Sequence, residues 1–107
     1  MLFRSAAIAA SLSWAFHIHI VGRSSAGVTA AWEVKGAIQN NAGTVALVAA
    51  VTNTLLADGT GGTWGAIGNV PVVAADNGND TLIITVTGAG ATNIRWTAHA
   101  RLVEVRF

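Results

Sequence analysis

An all-β fold, an antiparallel β-sandwich of jelly-roll type with roughly six to eight strands, is what this sequence predicts, and three observations carry the prediction. Apolar and polar residues alternate with a period of two over several separate stretches, the pattern of a strand with one dry and one wet face. Clusters of Gly, Asn, Asp and Ser interrupt these stretches at short intervals. No stretch carries the 3.6-residue period of an amphipathic helix of useful length. At 107 residues the chain makes one domain, long enough to bury roughly two-thirds of its unfolded surface.

Arg4 followed by AAIAASLSWAF has the charge and apolar run of a signal peptide, but no small-x-small cleavage site follows, and the strand alternation already begins inside the apolar run. Leu2-Phe3-Arg4-Ser5 is also what a common sequencing adapter encodes in one frame. The expectation is a non-native or truncated leader over residues 1–11, the start of a metagenomic fragment of a longer gene, and a single β-domain over residues 12–107.

From residue 12 to 23, Trp14, Phe16, Ile18 and Ile20 share one face, and Ala15, His17, His19 and Val21 the other. Residues 24–28 are small and glycine-containing, a loop. Trp32, Val34, Gly36 and Ile38 then alternate with Glu33, Lys35, Ala37 and Gln39 as a one-sided second strand. Asn40-Asn41-Ala42-Gly43 supplies residues that tolerate positive φ, so a hairpin returns the chain through residues 44–51. That run is apolar on both parities, which predicts a strand covered on both faces, with residues 54–57 continuing it after an irregularity at Asn53.

Residues 58–68 hold five glycines and no alternation, a loop that carries Trp64. Residues 70–75 form a short strand whose Pro71 lacks a donor and belongs at an edge or a strand start. The strongest turn signal, Asp76-Asn77-Gly78-Asn79-Asp80, precedes a strand in which Leu82, Ile84 and Val86 share a face. After a turn over residues 88–93, Ile94, Trp96, Ala98, Ala100 and Leu102 make the dry face of a long final strand, and Arg95, Thr97, His99 and Arg101 the wet one. Beyond Leu102 the apolar parity changes to Val103 and Val105, which predicts a β-bulge or a tail whose second face another chain covers. Matching the wet faces makes the strand over 12–23 and the final strand neighbours, bringing His17 and His19 near Thr97, His99 or Arg101.

Composition narrows the function classes. Charged residues are 10% of the chain against roughly 25% in ordinary soluble domains. Apolar residues are 52%, so part of the surface is expected to be covered by other subunits. A net charge of +1 with scattered basic residues gives no reason to expect nucleic acid. No window reaches the roughly 18 apolar residues of a membrane helix, because His17, His19, Thr52 and Asn53 interrupt the candidates. The absence of cysteine removes disulfides and thiolate chemistry. The acids Glu33, Asp58, Asp76, Asp80 and Glu104 suggest no catalytic pair, and no G-x-S-x-G or H-E-x-x-H occurs, so neither an enzyme nor a cofactor is expected.

Three features are candidate sites. His17 and His19, at i and i+2 on one strand face, can both reach one metal ion, although no carboxylate lies at matching spacing along the chain; the other reading is a pair of half-exposed strand residues. Trp64, with Thr63 and Asp58 in the same glycine-rich loop, is the candidate receptor or glycan contact, since an indole on a loop stacks on sugar rings; the other reading folds it back onto the core. The turn at Asp76 to Asp80 is oxygen-rich enough for calcium but lacks EF-hand spacing, and tight turns need the same residues for backbone reasons.

One longer pattern joins these elements. Thr87-Gly88, five turn residues, Ile94-Arg95-Trp96, Ala98, Arg101 and Val103-Glu104-Val105 resemble the C-terminal β-domain at the ends of many bacteriophage and prophage tail fibre proteins. Further matches are the strand ending Ile20-Val21-x-Arg23, the Ala30-Ala31-Trp32-x-Val34-x-Gly36-x-Ile38 pattern, the run over 46–55, and Asn79-Asp80 through Thr87-Gly88. The resemblance covers most of the chain from about residue 12. Two departures are the loop after Arg23, usually acidic in such domains and here Ser24-Ser25-Ala26-Gly27, and the turn before Ile94, which lacks its usual Glu and Lys. The resemblance implies a virion structural protein, made in the host cytoplasm and homotrimeric, forming the distal end of a fibre and contacting a host surface glycan or protein. In such a trimer the H-x-H pair would be repeated about the fibre axis. The alternative expectation is a carbohydrate-binding module of a secreted bacterial protein.

Overall fold

A computed structural model describes residues 2–65 and 70–107 of the chain. Among them are eight strands and no helix: β1 (Leu2–Ala7), β2 (Leu12–Ser24), β3 (Thr29–Asn41), β4 (Thr44–Leu47), β5 (Thr52–Asp58), β6 (Val72–Asp76), β7 (Thr81–Thr85) and β8 (Ile94–Arg106). They form two sheets whose pairings are all antiparallel. One has the order β1-β7-β6, and the other β4-β3-β2-β8 with β5 also on β3. The sheets pack face to face as a β-sandwich.

β2 shows how sequence makes the larger sheet. Leu12, Trp14, Phe16, Ile18 and Ile20 are buried, whereas Ser13, Ala15, His19, Val21 and Arg23 are exposed. On β3 the inward set is Ala30, Trp32, Val34, Ile38 and Asn40. These side chains meet Val73, Leu82, Ile84 and Val86 of the smaller sheet and the β7 exit in one core. The hairpin after β3 turns through Ala42 and Gly43 at φ of 54° and 93°. Pro71 precedes β6, which is an edge strand of its sheet, as the missing donor requires. β2 and β8 are neighbours in unbroken register from Leu12 opposite Arg106 to Ser24 opposite Ile94.

Residues 2–11, expected to lie outside the domain, are built into it. β1 hydrogen-bonds along β7, and Ile8 is 1% exposed. Asn40, also buried, ties this segment down: its Nδ2 donates to the Ile8 carbonyl at 2.8 Å, and its Oδ1 accepts from the Gly43 N–H at 2.9 Å. The alanines around Ile8 obscure its strand-like pairing, because they give no alternation to read.

The run after the hairpin is also different from expectation. It is not a strand covered on both faces but two short edge strands placed end to end. β4 pairs with residues 38–41 of β3 and β5 with residues 30–35. β5 is exposed along its whole length. Thr52, Asn53, Thr54 and Asp58 suit a sheet edge, Leu55 and Leu56 stand exposed on it, and two-sided apolarity in an alanine-rich run is a weak sign of burial.

No bulge interrupts β8 at Leu102. The change of apolar parity there comes without a bulge. Glu104 takes the inward parity opposite Trp14 and accepts a 2.8 Å hydrogen bond from the indole Nε1–H, while Val103 and Val105 face outward at 64% and 66% exposure. The expected dry face of β8 holds for Ile94, Trp96 and Ala98, which are partly buried, and fails from Ala100 onward.

Candidate functional site

The outer face of the five-stranded sheet gathers its polar side chains at mid-strand. In one row across β3, β2 and β8 stand Glu33, His19 and His99; in the next stand Lys35, His17 and Arg101. The alternation of each strand puts these residues on the wet face, and the register of the β2–β3 hairpin brings Glu33 to the histidines.

Glu33 Oε2 lies 3.3 Å from His17 Nε2 and 3.4 Å from His19 Nε2, and Glu33 Oε1 lies 2.8 Å from Lys35 Nζ. The two imidazole centroids are 4.5 Å apart, with their planes tilted by 47°. The Lys35 ammonium holds the Glu33 carboxyl below the usual glutamate range against the opposing effect of burial, with a weaker contribution from His17. His17 Nε2 is shielded from solvent and makes no hydrogen bond of good geometry among the described residues. The carboxylate missing along the chain is thus supplied across the ladder. Its signal in the sequence was the wet-face parity of Glu33; the register that aligns it with His19 needed the true length of the loop after Ser24.

Trp64 does not project from its loop. It is 3% exposed and belongs to the core, its ring edge-on to Trp96 at 5.6 Å between centroids. Trp96 in turn stacks on Trp32 at 5.8 Å. Gly22, directly opposite Trp96 on β2, makes the space: a β-carbon there would stand 2.8 Å from carbons of both the Trp64 and the Trp96 rings. The expectation of an indole presented to a receptor is corrected, because a ring of this size gains more by filling the end of the sandwich than by standing in water.

The other two residues of that expectation stay at the surface and serve the loop. Asp58 Oδ1 accepts from the Thr60 backbone N–H at 2.8 Å and from the Thr60 hydroxyl, and these bonds, the hydroxyl first, lower the Asp58 pKa. The Thr63 hydroxyl donates to the Thr60 carbonyl at 3.0 Å. Residues 66–68 of the expected loop lie outside the described residues.

The turn at Asp76 is likewise self-satisfied. Asp76 Oδ1 accepts from the N–H groups of Gly78 and Asn79, and Oδ2 from the Asn79 amide, which depresses the Asp76 pKa. Asn77 Oδ1 accepts from the Val45 N–H, and Asp80 adopts a φ of 53°. Of the oxygens considered for calcium, both of Asp76 are taken up within the turn and that of Asn77 by β4.

The loops divide between the two ends of the sandwich. Ser25 N–H donates to the Asn93 carbonyl and Gly59 N–H to the Thr29 carbonyl, so the loops after β2, β5 and β7 share one end. There Arg23 and Arg95, opposed on β2 and β8, border an open cleft of about 840 Å³ with Ser25, Thr92 and Asn93. The Asp76 turn lies at the other end, beside the β3–β4 hairpin.

No family model, curated protein or solved structure matches the chain.

Proposed function

We propose that the chain is a structural β-domain that assembles with copies of itself, and specifically the distal C-terminal domain of a bacteriophage tail fibre, trimeric in the virion. One observation carries the self-assembly reading. β8 is a thirteen-residue edge strand with only β2 beside it among the described residues, and its C-terminal half leaves Leu102, Val103, Val105 and Phe107 at 40%, 64%, 66% and 109% exposure. A long edge with apolar side chains is a template for another strand; this half also carries the charged Arg101, Glu104 and Arg106, but neither a proline nor a bulge interrupts it. The resemblance of the same strand to tail fibre ends supplies the specific form. Host contact in this reading belongs to the loop end that carries the Arg23–Arg95 cleft.

The carbohydrate-binding module reading uses Trp64 and the loop ends, and with that ring in the core its stacking platform is lost. Size-exclusion chromatography with light scattering on the full chain tests the proposal. The expected mass is a trimer of the 10.9 kDa chain, and a stable monomer at micromolar to millimolar concentration overturns it.

A further inference from the structure

We infer that His17, His19 and Glu33 form a binding site for a divalent transition-metal ion of the zinc class, with the fourth coordination position open to solvent. All three ligands come from one chain, so the site does not depend on the trimer proposed above.

The donor set is the first support. Two neutral imidazoles and one carboxylate are a recurrent zinc ligand set when three protein groups hold the ion and a fourth position stays open. Imidazole also favours zinc, copper, nickel and iron over magnesium and calcium. The neighbouring charges sharpen this selectivity. Lys35 on β3 and Arg101 on β8 flank the cluster and repel cations, so a hard ion held mainly by charge is disfavoured, whereas an ion that bonds to nitrogen is not. The remaining neighbours on this face are neutral or weakly basic: His99 opposite His19, and Thr52 and Thr54 on β5 opposite Lys35 and Glu33.

Geometry is the second support. Bonds of about 2.0–2.1 Å in a tetrahedral site separate donor atoms by about 3.3–3.4 Å. The two imidazole nitrogens stand 3.3 and 3.4 Å from Glu33 Oε2, and ligand atoms of the three residues all lie within 4.8 Å of one another. Closing the remaining nitrogen–nitrogen edge falls to the His19 ring, which is half exposed.

The third support is the state of the ligands. His17 Nε2 is shielded from water and, although it stands 3.3 Å from Glu33 Oε2, makes no hydrogen bond of good geometry with it, so an ion held between the two would satisfy both. Glu33 is held by Lys35 through Oε1, which leaves Oε2 turned to the imidazoles, as outer-shell partners orient metal ligands elsewhere. The backbone beneath is rigid: β2 is paired on both sides by β3 and β8, and β3 by β2 and β5.

The test is calorimetric titration of the full chain, freed of metal with a chelator, with zinc chloride near neutral pH. One ion per chain is expected, with no binding of calcium or magnesium. Glu33→Gln and His19→Gln should each weaken zinc by at least about tenfold, and His99→Gln should change it by less than about twofold. Both weakening substitutions are on the outer face and leave the core intact, and far-UV circular dichroism verifies the fold of each variant. Zinc should also shift the His17 and His19 ring-proton resonances and leave that of His99 in place. Absence of zinc binding, one ion per three chains, or undiminished affinity in a folded Glu33→Gln variant each overturns the inference.

Discussion

Gly22 sits where any side chain would enter two indoles. With a β-carbon 2.8 Å from both Trp64 and Trp96, Gly22→Ala forces rings to shift in a filled cluster and should cost about 1–3 kcal/mol. Trp64→Ala empties the same space and should cost about 3–5 kcal/mol in urea unfolding. The double variant is expected to cost less than the sum, since the alanine methyl at residue 22 then occupies vacated volume. A Trp64→Ala chain with unchanged stability would return this ring to the surface role. Glu33 gives a pH prediction. Its folded pKa is depressed, chiefly by Lys35, so its contribution to stability is present above the unfolded pKa and is lost as pH falls through the lowered folded value. In chelator-treated buffer, a difference in urea midpoint between the native chain and Glu33→Gln should exist at neutral pH and vanish in acid below the ordinary glutamate range.

At the scale of elements, β8 does two jobs with its two halves. Ile94, Trp96 and Ala98 cover the core, and beyond Leu102 the strand keeps its ladder with β2 while its outward residues meet no other part of the described chain's core. Substituting both Val103 and Val105 by Lys should change monomer stability by no more than about 0.5 kcal/mol each, because both side chains are already exposed. The same pair should abolish trimer formation in light scattering if this edge is the contact. Strand identity here was legible from the period of two alone. The role of Glu104 was not, because the change of parity at V-E-V reads equally as a bulge or as a tail whose second face another chain covers. Its meaning depends on Trp14, ninety residues earlier.

As a whole the sandwich is elongated, 47 × 23 × 19 Å, and it is closed unevenly. Between β1 and β7 on one sheet and β8 on the other lies an opening of about 180 Å³ lined by Ser5, Ala6, Leu82, Ile84, Ala98 and Ala100 among others. β1 covers the edge of β7 here, and Ile8 plugs the end. A chain begun at Leu12 should therefore lose at least the roughly 2–5 kcal/mol typical of deleting one buried Ile side chain, and an unfolding transition unaltered by that truncation would show the segment to be dispensable.

By itself the sequence determined what depends on neighbours along the chain: the all-β class, the faces of β2 and β3, the hairpin at Ala42-Gly43, the edge position before β6, and the wet face that holds His17 and His19. Alternation and turn chemistry are local, and residues two apart report them directly. Apart from the β2–β8 pairing, which the matching wet faces already indicated, tertiary structure decided what needed a partner distant in the chain. It joined residues 2–8 to β7, split the run after residue 44 into two edge strands along β3, drew Trp64 under the loop onto Trp96, and aligned Glu33 with His17 and His19. Each of these outcomes is a choice among pairings with the same local pattern, and the energy that selects one comes from packing and register across the ladder.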